Sequence, residues 1–286
     1  MAMMDKSSLI NIQLAVERLQ NADILSPQPD ITTILSHSFH IPRHRAITGD
    51  FVLSEEEWAR FHETIGERAT HAPLQYILGK CDFWKYEFNV TPDVLIPRPE
   101  TEHLVETALN LLPSRGKKLI IDCCTGSGCV AISIALERPE NRVIGCDIST
   151  SALNIAKINK NRLSADNCSF LATDMLTSFA PSSVDLITAN PPYVAEEEAP
   201  ALQPELGFEP RKALFSGNDG LTHIRSLLKQ APVLLKKKGY LAFEFGYNQG
   251  EAIRELVEPE ISGKIHRFEI IRDLANHERI GVIQYA

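Results

Sequence analysis

No stretch of this chain approaches the ~18 consecutive apolar residues of a membrane-spanning helix, so a helical membrane protein is not expected. The opening residues Met1-Ala2-Met3-Met4-Asp5-Lys6-Ser7-Ser8 lack the cationic segment and apolar core of an export signal, which makes a cytoplasmic location the expectation. Positive charge is in deficit: 29 Lys and Arg stand against 37 Asp and Glu, a net charge of −8. A surface that neutralises many phosphates needs the opposite balance, so a stable nucleic-acid partner is disfavoured. Cysteine is scarce and poorly spaced for staples. The six, at 81, 123, 124, 129, 146 and 168, form no C-x-x-C pair, which speaks against zinc ribbons and disulfide frameworks. They read instead as reduced, mostly buried thiols. No internal repeat or low-complexity segment is present, and no Lys-Ser or Lys-Thr follows the glycines at 126 and 128, so a Walker phosphate loop is excluded. What is left is a globular chain of 286 residues, 44% hydrophobic and 23% charged, long enough for one large domain and a small one.

The first 70 or so residues predict short helices. Ile12, Ala15, Val16 and Leu19 share one helical face, as do Ile31, Ile34, Leu35 and Phe39. Ser54 with Glu57 spells a capping box, and Trp58, Phe61 and Ile65 continue from it on one side. Residues 1–73 are therefore expected to form a helical docking domain. Residues 74–98 predict a β-hairpin linker: Phe83, Trp84, Tyr86, Phe88 and Val90 on one side, Val94, Leu95 and Ile96 on the other, with the turn at 89–93. From 99 to 286 strand and helix alternate, with strands expected at 118–122, 142–147, 168–173, 184–189, 239–245, 265–272 and 279–285. Such alternation means an α/β domain, a mostly parallel sheet with helices on both faces.

Two places carry chemistry. The apolar run Val184–Ala189 ends in Asn190-Pro191-Pro192-Tyr193, and two prolines cannot continue a central strand because neither donates an N–H. The strand must stop there and present a carboxamide, bare carbonyls and a phenol beyond the sheet's carboxyl edge, where α/β sheets bind ligands. An amide oxygen beside a carbonyl accepts two hydrogen bonds from one planar NH₂, and a tyrosine ring stacks on that plane. An ordinary Pro-Pro loop with an Asn turn residue has the same text. The second place is Asp122-Cys123-Cys124-Thr125-Gly126-Ser127-Gly128 between a strand and a helix, with Asp147 at the end of the next strand. Gly126, Gly128 and Ala131 also satisfy the dinucleotide pattern G-x-G-x-x-[GA], so a nicotinamide or flavin oxidoreductase is a competing reading. Asp122, four positions before the first glycine, is expected to repel a pyrophosphate and to suit a cationic ligand such as a sulfonium.

With these motifs the chain resembles the class I S-adenosylmethionine-dependent methyltransferases that carry Asn-Pro-Pro-Tyr, a Rossmann-like fold. More narrowly it resembles the N5-glutamine methyltransferases of peptide chain release factors. The likeness runs through Pro73–Gly79, Val94–Glu102 with Arg98-Pro99-Glu100-Thr101, Asp122–Gly128, Asn190–Tyr193, Glu209–Leu214 and Gly217–Leu221, in the family's order. The resemblance implies S-adenosylmethionine as cofactor, class 1 release factors as protein substrate, no metal, no membrane, and a monomer. It implies that Cys124, Thr125, Gly126, Ser127 and Gly128 line the cofactor loop. Asp147 would hold the ribose hydroxyls, Asp174 and Met175 would border the adenine, and Asn190 would also touch the cofactor. Asn190 and the Pro191 carbonyl would grip the substrate amide, with Pro192 and Tyr193 packing on it and residues 194–218 covering the site. Asn-Pro-Pro-Tyr is shared with DNA adenine and RNA guanine amino-methyltransferases, which stay open as alternatives. Two departures are visible: Cys124 stands where a glycine is common, and Asn276 where the family favours glycine. Elsewhere, His37, His40, His44, His62 and His71 lack metal-ligand spacing, Glu196-Glu197-Glu198 reads as a solvated loop, Glu244 at a strand end is a candidate ligand contact, and Lys236-Lys237-Lys238 reads as a helix C-terminus closed by Gly239.

Overall fold

The computed structural model describes residues 6–113, 116–261 and 265–286; residues 1–5 of the expected helical domain lie outside these. The chain divides into two compact units: the described residues up to Lys80 together with Gln203–Phe208, and the remainder. Among the described residues no helix is long and apolar enough to cross a membrane.

The first unit holds α1 (Lys6–Asn21), α2 (Pro27–Ser38), α3 (Arg43–Thr48), α4 (Glu55–Arg68) and α5 (Leu74–Leu78). The expected apolar faces meet in one core, where Ala15, Val16, Leu19, Ile31, Ile34, Leu35, Phe61 and Ile65 are buried. The capping box is formed: the Ser54 hydroxyl accepts from the Glu57 amide at 3.2 Å, and the Glu57 carboxylate accepts from the Ser54 amide at 2.8 Å. Buried Arg68 donates to Asp30 at 2.7 Å and to Glu205 at 3.1 Å, which ties the 203–208 segment to this unit. A buried guanidinium needs such carboxylates because an unpaired charge in that position is strongly destabilising.

The hairpin lies earlier than expected. Residues 74–78 are helical, and the two strands are β1 (Lys80–Phe83) and β2 (Tyr86–Asn89), turning at Trp84-Lys85 rather than at 89–93. Trp84 takes φ +59°, which a bulky residue accepts only when held. Its amide donates to Glu102 at 2.8 Å and its indole N–H to Glu137 at 3.1 Å. Val94–Ile96 joins no strand. The Val94 amide closes a turn on the Thr91 carbonyl, the Ile96 amide donates to the buried Glu209 carboxylate, and Pro92 and Pro97 offer no donors to a ladder.

After a 3₁₀ turn at Pro99–Thr101 come α6 (Glu102–Leu111), β3 (Leu119–Cys123), α7 (Cys129–Glu137), β4 (Arg142–Asp147), α8 (Thr150–Leu163), β5 (Cys168–Ala172), β6 (Val184–Ala189), α9 (Arg211–Leu214), α10 (Thr222–Leu234), β7 (Leu235–Glu244), α11 (Gly250–Ile261), β8 (Ile265–Arg272) and β9 (Glu278–Tyr285). The seven-stranded sheet has the order β5-β4-β3-β6-β7-β9-β8, parallel from β5 to β7 and antiparallel at β9 and β8. Alternate strand residues feed two cores: Ile121, Cys123, Ile187, Leu241 and Phe243 pack on one face, Ile120, Leu186 and Ala242 on the other. Every residue of β6 is buried, as a central parallel strand covered on both faces requires.

Lys236-Lys237-Lys238 is not a helix end. α10 stops at Leu234, and the lysines open β7. Asp185, buried in β6, draws them in: it accepts from Lys236 at 2.7 Å, from Lys118 at 3.1 Å and from the Leu119 amide at 2.9 Å.

Candidate active site

Strand order reverses between β3 and β6, and a crevice opens at such a switch point. Register decides what faces it. Cys123 pairs with both Ala189 and Cys146, and Ala189 pairs with Phe243. One residue past that row, Glu244, Asn190, Cys124 and Asp147 stand side by side along the carboxyl edge of the sheet. Residues distant in sequence meet there because four strands end together.

Beside this edge is a cavity of about 300 Å³, within the usual size of a small-molecule site. Cys124, Gly126, Asp147, Asp174, Met175, Asn190 and Pro192 line it, as expected. Thr125 and Ser127 face a small neighbouring pocket shared with Cys124, Gly126, Thr101 and Asn190. Gly128 lines neither. At φ +82° it caps α7, and a Cβ there would sit 3.0–3.1 Å from Ile132, Ala156 and Phe170, so this glycine serves close packing rather than ligand approach. Sequence reasoning missed the lining contributed by Pro92–Leu95, the apolar Ile148 and Ala152, and His223. From the 194–218 segment, Pro210–Ala213 form part of the wall, and Val194 bridges to Phe215. Buried Glu209 anchors that wall, its carboxylate accepting from the Ile96 amide at 3.1 Å and from Arg98.

Asp122 does not face the cavity, contrary to expectation. It is buried beneath the loop, where its carboxylate accepts from Thr125 Oγ1 at 2.6 Å and Thr188 Oγ1 at 2.8 Å. Burial pushes its carboxyl up to about 6, against the pull of those hydroxyls. Its work is to fasten the loop to β6. The case against a pyrophosphate comes instead from three loop amides that are already engaged: Thr125 donates to the Cys146 carbonyl, Gly126 to Asp147 Oδ2 at 2.9 Å, and Gly128 to the Thr125 carbonyl. A dinucleotide phosphate depends on free amides at this turn. Asp93, Asp147 and Asp174 stand around the cavity together with Arg211 and Lys212, so its lining is of mixed charge. Asp147 also accepts from the Ser149 amide at 2.9 Å; burial raises its carboxyl, and the Ser149 and Gly126 amides oppose the rise. The remaining lone pairs suit a diol.

Cys124 holds φ +60° and Asn276 +65°. Both departures from glycine therefore keep the left-handed backbone, Asn at small cost and Cys with some strain. Cys124→Val is expected to lower the unfolding temperature by several degrees, because a β-branched side chain adds about 1–2 kcal/mol at that φ; differential scanning calorimetry reads it.

The grip itself is assembled at the end of β6. Asn190 Nδ2 donates to Thr101 Oγ1 at 3.0 Å, which leaves Asn190 Oδ1 directed away from that bond. Among the described residues, neither Asn190 Oδ1 nor the Pro191 carbonyl receives a hydrogen bond. Tyr193 lines neither pocket; its hydroxyl donates to Glu244 Oε1 at 3.2 Å and its carbonyl accepts from Gln249 at 2.9 Å. Gly220 (φ +74°) passes so near that a Cβ would meet the Tyr193 carbonyl at 2.2 Å. Burial, then the Glu244 charge, pushes the phenol well above its ordinary range, so it stays protonated. Thr101 had a sequence signal, the Arg-Pro-Glu-Thr segment, but no role was attached to it. Glu244 was visible as a strand-end acid.

Comparison with known proteins bears on this geometry. Residues 12–79 match the family model of the PrmC N-terminal domain, and residues 101–237 that of the methyltransferase small domain. A release factor glutamine methyltransferase of Nitratidesulfovibrio vulgaris is 39% identical over 269 residues, spanning 93% of this chain and 90% of that protein. The protein of the same name from Vibrio cholerae is 34% identical over 278 residues, 96% of this chain and 95% of its own length. Among solved structures, the catalytic domain of hMettl16, in complex with MAT2A 3'UTR hairpin 6, aligns over 77% of this chain and 81% of its own with a TM-score of 0.56 and 14% identity, a likeness of fold alone.

Proposed function

The chain belongs to the family of release factor glutamine methyltransferases, and from that premise we propose how its residues carry out the transfer of a methyl group from S-adenosylmethionine to the side-chain amide N5 of a release-factor glutamine. S-adenosylmethionine, when bound, supplies an electrophilic methyl on a positively charged sulfur. The cavity at the switch point takes it. Asp147 holds the ribose hydroxyls, Asp174 and Met175 flank the adenine with Ile148, and Cys124 and Gly126 border the amino-acid end beside Asn190. The mixed-charge lining suits a cofactor that carries a carboxylate as well as ammonium and sulfonium charges.

The observation that carries the substrate assignment is the pair of unengaged acceptors, Asn190 Oδ1 and the Pro191 carbonyl, on adjacent residues where Asn190 lines that cavity. A glutamine amide nitrogen is a poor nucleophile because its lone pair is delocalised into its carbonyl. Two acceptors aimed at its two N–H bonds fix the NH₂ group and favour a pyramidal nitrogen, with the lone pair turned towards the methyl. The remainder is proximity and orientation, which supply a large share of such barrier reductions. The proton leaves after transfer, so a strong general base is not required. A protein substrate rather than a nucleobase agrees with the charge of −8.

The assay offers labelled methyl donor to the enzyme with purified release factor, its Gln→Ala variant, and nucleic acid. Label is expected on the factor alone and lost in the variant. Label on nucleic acid, or undiminished label on the variant, overturns the reading in favour of a base-directed amino-methyltransferase.

A further inference from the structure

Glu244 is the least explained polar group in the second unit. It is 1% exposed, at the end of β7, and its Oε2 is buried without a hydrogen bond of good geometry to any described residue. Its Oε1 accepts from Tyr193. Thr101 is equally unusual. It stands at the N-cap of α6, where a threonine oxygen normally accepts from an amide of the first turn, yet it makes no such bond. It is 2% exposed, and its oxygen accepts from Asn190 Nδ2 instead.

Hydrogen-bond direction links the two. A carboxylate only accepts, whereas a hydroxyl carries one hydrogen and free lone pairs. Asn190 and Glu244 stand one residue past the paired Ala189 and Phe243, which brings Thr101, bonded to Asn190 at 3.0 Å, beside the carboxylate whose Oε2 lacks a donor; of the groups that favour its charged form Thr101 stands first, ahead of Arg279 and Tyr193. A Thr101 hydrogen turned to that unpartnered oxygen would leave only lone pairs for Asn190. The carboxamide must then meet Thr101 with Nδ2, and its oxygen must turn to the cavity. We propose that Glu244 is a positioning residue which, through Thr101, sets the Asn190 carboxamide in the one orientation that accepts from the substrate NH₂, while holding Tyr193 on its other side. A carboxamide offered the other way round would oppose N–H to N–H and could not grip. This inference rests on the proposed role of Asn190.

Three variants test it, each with kcat, KM for the release factor and the dissociation constant for S-adenosylmethionine. Thr101→Val removes the hydroxyl at constant shape and is expected to lower kcat about tenfold or more, with cofactor binding and KM changed by less than about threefold. Thr101→Ser restores the hydroxyl and should recover most of the loss, which a purely packing role for Thr101 would not predict. Glu244→Gln keeps size but introduces an NH₂ that competes for the Thr101 oxygen, and should lower kcat by about tenfold. Burial pushes the Glu244 carboxyl up to about 6, with Glu100 adding to the rise and Arg279, Thr101 and Tyr193 opposing it. Wild-type kcat should therefore fall as pH drops through about 6, when the carboxylate gains a proton and ceases to accept from both hydroxyls, and the Gln variant should lack that limb. Wild-type kcat in Thr101→Val, a Ser variant no better than Val, or the same acid limb in Glu244→Gln would each overturn the inference. Wild-type enzyme that leaves the release factor unlabelled in the same assay would instead overturn the proposed substrate, so the two failures are told apart.

Discussion

Asn190→Ala is expected to reduce kcat on the release factor by about a hundredfold or more, the scale seen when one preorganised polar contact at a reacting centre is deleted. Binding of S-adenosylmethionine should change by less than about threefold, because Asn190 is one of many cavity residues and those proposed for the ribose and adenine are untouched. Two losses combine in kcat. One N–H of the substrate amide has no acceptor, and the NH₂ can rotate away from the line of attack, so both orientation and activation suffer. Isothermal titration with cofactor, alongside single-turnover transfer to the release factor, separates the effects. An alanine variant with more than about a tenth of wild-type turnover would remove Asn190 from the reaction.

The strands of the second unit were legible because their chemistry is local. Val184–Ala189 is mostly apolar and is followed by two prolines, and β3 and β4 carry acids at or one residue before their ends, ahead of polar turns, so periodicity and punctuation mark these three within a residue or two. The hairpin was misplaced because its turn uses Trp84 at φ +59° instead of a glycine or asparagine. The Glu102 and Glu137 side chains hold that turn, and no residue within it announces it. The lysines at 236–238 misled for a similar reason. The first of them, Lys236, pairs with Asp185, 51 residues away, while their spacing after a helix imitates a dipole-matched end.

At the site, the grip and the cavity lining could be read from motif and resemblance, but the direction of side chains could not. Asp122 was taken as a cavity acid from its position alone. The structure turns it beneath the loop onto two hydroxyls, one of them Thr188, which only the β3–β6 register brings opposite it. Thr101 and Glu244 illustrate the same limit. Each stands in a segment the sequence marks, but neither shows its partner there; they meet because α6 starts and β7 ends at the edge where β6 delivers Asn190. Nearest-neighbour chemistry in the chain fixes elements; register fixes which polar atoms meet.

Tyr193 provides the second large effect. Tyr193→Ala removes both the ring proposed to pack against the substrate amide and, among the described residues, the one well-formed hydrogen bond to Glu244, and is expected to lower kcat by about thirtyfold to a hundredfold. Tyr193→Phe keeps the ring. It leaves the Glu244 carboxylate with one donor fewer in a buried place, a cost of about 1–3 kcal/mol that falls mainly on the stability of the edge and on the acidity of Glu244. With that donor gone, the carboxyl is pushed further up, so the acid limb of kcat should move to higher pH in the Phe variant while kcat at pH 8 drops by less than about tenfold. Steady-state kinetics from pH 5 to pH 9 on both variants decide between ring and hydroxyl. A Phe variant as damaged as Ala at pH 8 would show that the hydroxyl, not the stacked ring, carries the role of Tyr193. An acid limb that stays at its wild-type position would show that the Tyr193 hydroxyl does not govern the charge on Glu244.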